Sequence, residues 1–112
     1  MNNQKMLTVL IEVSERNFNQ NETMQWLKRH PLWLNTWGFR NVTKFKDTVL
    51  FFTVSGFKHN GYVLISLGWD DTYTVTLLST QCNVKKVIKN VYCDVLAETI
   101  DINVERIDAY QE

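Results

Sequence analysis

The spacing of hydrophobic positions changes once along this chain. Before residue 38 apolar side chains recur every three or four residues; from Phe39 they recur every second residue. Residues 4–16 place Met6, Val9, Leu10 and Val13 on one stripe, the i, i+3, i+4, i+7 pattern of an amphipathic helix. The β-branched Thr8, Val9, Ile11 and Val13 would also suit a strand, and the stripe decides for the helix. A second helix is predicted over 20–30, with Met24, Trp26, Leu27 and His30. Asn19 or Asn21 can cap it, and Asn19-x-x-Glu22 has the spacing of a capping box. Pro31 lacks an N–H and restricts His30, so the helix ends or kinks there. Residues 32–38 (Leu-Trp-Leu-Asn-Thr-Trp-Gly) read as an apolar connector.

The two-residue period then predicts five strands: 39–45, 48–57, 62–67, 72–79 and 84–92. The second is apolar on both faces, with Val49 and Phe51 on one and Leu50, Phe52 and Val54 on the other. Tyr73, Val75 and Leu77 point to one side of the fourth strand, Thr72, Thr74 and Thr76 to the other. Lys46-Asp47, Lys58-His59-Asn60-Gly61, Gly68-Trp69-Asp70-Asp71 and Thr80-Gln81-Cys82-Asn83 supply the turns, and Asn60-Gly61 is a strong hairpin signal. Lys85, Lys86 and Lys89 give the fifth strand the charge that protects a sheet edge. Asp94 is a candidate N-cap for a last helix over 94–108. Its Val95, Leu96, Thr99, Ile100, Val104 and Ile107 lie at helical spacing, with Glu98, Asp101, Glu105 and Asp108 on the polar side.

The pattern as a whole predicts one α+β domain over residues 1–112. It has two N-terminal helices, a five-stranded antiparallel meander and a C-terminal helix packed on one face of the sheet. The helices are expected to cover a single face.

Composition narrows the class. At 112 residues with 45% hydrophobic and 21% charged residues, the chain resembles an ordinary globular domain. Lysines plus arginines equal aspartates plus glutamates at 12 each, so overall charge gives nucleic-acid binding no support. The apolar run Met6–Val13 is too short to span a bilayer and lacks a cleavage site. Two cysteines, Cys82 and Cys93, read as free thiols of a cytoplasmic protein. Eleven asparagines are compatible with an AT-rich bacterial, phage or mobile-element origin.

The stretch from Phe57 to Val75 holds a histidine, a tryptophan and an Asp-Asp pair, which invites an active-site reading. Strand geometry opposes it. A six-residue strand rising about 3.3 Å per residue sets His59 roughly 20 Å from Asp70 and Asp71. Alternate turns of a meander fall at opposite ends of the sheet. One end collects His59, Asn60, Cys82 and Asn83; the other collects Lys46, Asp47, Trp69, Asp70, Asp71, Tyr92, Cys93 and Asp94. Cys82 with His59 would be two metal ligands, or a nucleophile and base, but close ligand pairs and an orienting group are missing. The aspartates would suit a hard cation, yet strand spacing sets Asp47 and Asp70 about 10 Å apart, and each has an ordinary role in a turn or cap. Phosphate-binding glycine loops and the Gly-x-Ser-x-Gly motif are absent from the sequence. No catalytic residue, cofactor or metal is therefore expected.

Tryptophan is the most unusual feature. Trp26, Trp33 and Trp37 fall within twelve residues, and Trp69 sits in a turn. They suit packing at the helix–sheet junction. They also suit an interface, where Trp and Arg are enriched. Trp33, Trp37, Arg40 and Trp69 are the candidate partner-binding residues. The reading that follows is a small non-catalytic module that binds a protein partner or forms a homodimer. The second reading is a nucleic-acid-binding accessory domain using Arg40, Lys44, Lys46 and Lys58 with Phe45 and Tyr62. An enzyme with an unrecognised site is the third.

Overall fold

Four helices and five strands follow from these patterns in the computed structural model, which describes residues 3–105. In chain order they are α1 (Asn3–Val13), α2 (Gln20–Lys28), α3 (Pro31–Trp37), β1 (Arg40–Phe45), β2 (Val49–Ser55), β3 (Asn60–Leu67), β4 (Tyr73–Leu78), β5 (Val84–Val91) and α4 (Leu96–Val104). A 3-10 turn, Cys93–Val95, leads into α4. The strands pair in sequence order, each antiparallel to the next, so the sheet is the expected meander. No helix among the described residues is long and apolar enough to cross a membrane.

Three helical pieces precede the sheet rather than two. The predicted connector over 32–38 is largely α3. Pro31 occupies its first turn, where the missing N–H is no loss. Gly38, at φ 65°, closes it in the left-handed region with its N–H on Leu34 and Asn35 carbonyls. Proline and glycine thus bound a seven-residue helix instead of marking a loop. At α2 the expected cap forms: Asn19 Oδ1 accepts the Glu22 N–H at 3.1 Å.

Both faces of the sheet are covered, which corrects the single-face expectation. One face carries Phe52, Val54, Val63, Ile65, Tyr73, Val75 and Leu77, under Leu27 of α2, Trp37 of α3 and Leu96, Ile100 and Val104 of α4. The other carries Val49, Leu64 and Leu78 under Val9 and Leu10 of α1. The alternation in β2 required this, since its two apolar faces each need a cover.

Two local expectations give way to tertiary structure. Asn60-Gly61 lies inside β3, paired with Ser55 and Val54, and not at a turn. The β2–β3 connection is Gly56–His59, closed by the Gly56 N–H on the His59 carbonyl at 2.9 Å. Asp94 lies within the 3-10 turn, and no side chain caps α4, whose N-cap is Val95. Residues 106–108 of the predicted last helix, with Ile107 and Asp108, lie outside the described residues.

Candidate interaction surface

The four tryptophans occupy different environments. Trp37 is fully buried, and its Nε1–H donates to Asp101 Oδ1 at 2.9 Å. That bond explains why Asp101, expected on the polar side of the last helix, is buried instead. Trp33 is half-buried against the α2–α3–α4 core and stacks on His30 with centroids 4.3 Å apart. The Arg29 guanidinium lies 4.3 Å over the Trp26 ring. Trp69 alone among them is open to solvent, at 73% exposure. Arg40 is exposed at the start of edge strand β1. Trp33, Trp37 and Arg40 therefore cluster around α3, whereas Trp69 belongs to the β3–β4 turn beside the end of α1.

That turn is tightly specified. The Gly68 N–H bonds the Thr72 carbonyl at 2.8 Å and the Asp71 N–H bonds the Gly68 carbonyl at 3.1 Å. Asp70 Oδ1 accepts both the Thr72 N–H at 3.1 Å and the Thr72 hydroxyl at 2.7 Å. These bonds to the charged form hold the Asp70 carboxyl below its usual range. Asp71 adopts φ 66° and pairs with Arg16 at 2.7 Å. Arg16 also lies 5.4 Å from the Trp69 ring centroid. The Asp-Asp pair thus closes the turn and anchors Arg16, and together these residues fix the exposed indole.

Trp69 rims a polar cleft of about 220 Å³ that it shares with Glu15, Gly68, Asp70, Thr72, Thr74, Lys89 and Asn90. A second cleft of about 250 Å³ continues from it under α1, sharing Glu15, Thr74 and Lys89 and adding Glu12, Ser66, Thr76 and Val87. Ser66 and Thr74 face each other across β3 and β4. The Thr76 hydroxyl is buried with no hydrogen-bond partner among the described residues. Three carboxylates (Glu12, Glu15 and Asp70) against one ammonium make the joined cleft electronegative. The alternation of threonines with apolar residues in β4 was legible in the sequence, but the face expected to point outward is enclosed: Thr72 and Thr76 are buried and Thr74 is half-buried.

At the opposite end of the sheet, His59 and Cys82 do not meet. Cys82 packs in the core beneath α1, while His59 lines a pocket with residues of α4 and β5. His59 and the Asp70–Asp71 turn lie at opposite ends of the eight-residue β3. No group of three or more histidine, cysteine or acidic side chains able to hold a metal occurs among the described residues. Phe45 and Tyr62, the aromatics of the nucleic-acid reading, pack partly buried against the α1-side core. No protein-family model, curated protein or solved structure matches the chain.

Proposed function

We propose that this chain is a non-catalytic protein-recognition module whose contact surface is Trp69 and the cleft beneath α1. The observation that carries this reading is an exposed indole held in place by Arg16, Asp70 and Asp71 at the mouth of a cleft. A rigid Trp gives contact area without much ordering cost, and Trp and Arg dominate interface hot spots. The cleft is small enough for one or two side chains, and its carboxylates favour a lysine or arginine of the partner. Free thiols at Cys82 and Cys93 accord with a reducing, cytoplasmic setting.

Peptide-display selection on the immobilised protein tests this. The expected outcome is enrichment of Lys- or Arg-bearing sequences whose binding weakens at least tenfold in Trp69→Ala, corresponding to about 1.4 kcal/mol, and also weakens in Glu15→Gln. Enriched sequences that bind folded Trp69→Ala as tightly as the parent would refute it, as would a failure to enrich any.

A further inference from the structure

A second pocket differs from the Trp69 cleft in position and in sign. It lies where the β2–β3 turn, β4, β5 and α4 meet, with a volume of about 360 Å³, lined by Lys58, His59, Leu77, Lys85, Lys86, Ile102 and Asn103. Three of these seven side chains are lysines from two elements, and none is acidic. In a chain of zero net charge, this is a local concentration of positive charge.

Hydrogen bonds hold two of the lysines in place. Lys58 Nζ donates to the Ile102 carbonyl at 3.1 Å, and Lys86 Nζ donates to Asn103 Oδ1 at 2.7 Å. An anionic oxygen is a stronger acceptor than either amide oxygen. Glu105, just past the end of α4, accepts the Phe57 N–H at 2.7 Å. His59 adds a ring held by its Nε2 contact with the Tyr62 carbonyl at 3.2 Å. With Nε2–H donating, Nδ1 has no hydrogen-bond partner among the described residues. Leu77 and Ile102 supply an apolar wall. The space equals roughly a dozen water molecules at about 30 Å³ each, room for a phosphate and a small carbon skeleton.

We propose that this pocket binds the phosphate group of a small organic phosphomonoester, with Lys85 and Lys86 neutralising the phosphate and Leu77 and Ile102 contacting its carbon portion. His59 provides an internal reporter. Burial chiefly holds its pKa below the ordinary value, against an upward effect of the Tyr62 carbonyl, with the charge of Lys85 adding a lesser downward one. A bound dianion offsets the Lys85 charge and favours the imidazolium directly, so occupancy raises the His59 pKa.

The test is an amide chemical-shift titration of the full chain with ribose 5-phosphate, inorganic phosphate, a twelve-nucleotide oligo-dT and, at matched ionic strength, sodium chloride. Saturable shifts confined to residues 58–60, 85–86 and 102–103 are expected with ribose 5-phosphate, with affinity at least tenfold above that of inorganic phosphate. The His59 ring resonances should titrate at higher pH when ligand is present. Lys85→Ala/Lys86→Ala should lose at least tenfold in affinity with an unchanged Tm, because both side chains are exposed on an edge strand. Lys85→Arg/Lys86→Arg should retain binding. Shifts that grow linearly, equal those from chloride or persist in the alanine variant would overturn the proposal. Tighter binding of oligo-dT than of the monoester through the same residues would replace the small ligand with a nucleic-acid backbone.

Discussion

Gly61 adopts φ 147° within β3, where a Cβ would sit 2.2 Å from the Leu78 carbonyl oxygen of the neighbouring strand. Neither the backbone conformation nor the space admits a larger residue. Gly61→Ala should destabilise the fold by about 3 kcal/mol, combining left-handed strain with overpacking against backbone. A urea-denaturation midpoint equal to that of the parent would contradict this. The residue had a signal in the sequence, since Asn-Gly marks special conformations, but the signal named the wrong mechanism. A close approach between Gly61 and Leu78, distant in the chain, is set by strand packing and not by sequence neighbours. Asp101 shows the same limit. Helical periodicity put it on the polar side, and in the fold it is buried and accepts the Trp37 indole N–H.

At the scale of elements, α3 and α4 are joined by that Trp37–Asp101 bond. It links an edge of the helical layer to the last helix and satisfies a buried indole N–H. Trp37→Phe removes the donor while keeping most of the ring. We expect a loss of about 2 kcal/mol, since the buried Asp101 carboxylate forfeits a hydrogen bond. Equal stability of the two proteins by chemical denaturation would show that the bond contributes nothing. The strands were well predicted because alternation, most turn residues and edge lysines pointed the same way, Asn60-Gly61 being the exception. Helix ends were less legible. Pro31 and Gly38 each punctuate structure, and the seven-residue span between them was too short to display a hydrophobic period. The candidate surface was half legible: Trp69 in a turn could be found, but the cleft beside it depends on α1 crossing to the opposite face.

For the whole molecule, acid sensitivity has a traceable source. The His59 imidazole titrates lower when folded than its ordinary value of 6.5, chiefly through burial. The unfolded chain therefore binds more protons between the folded and unfolded pKa values, and stability rises with pH across that window. Its full contribution is present above pH 6.5 and is lost as pH falls below it. Thermal melts at pH 7.5 and pH 5 should differ more for the parent than for His59→Gln. Equal differences would assign the acid sensitivity to other groups.

The placement of α1 has a consequence for how the molecule opens. Among the described residues, one eleven-residue helix is the whole roof over Val49, Leu64 and Leu78. A helix of that length is marginal on its own in water. Its ties to the sheet are local: Val9 and Leu10 in the core, Ser14 to Thr48 at 2.9 Å, Lys5 to Asn83, and Arg16 to Asp71. The α2–α3–α4 layer, by contrast, is braced by three helices that contact one another. The domain is thus two-sided: three helices brace one another on one face of the sheet, and α1 covers the other. Partial opening is expected to begin on the α1 side, and the surface it would bare includes the floor on which Thr76 lies.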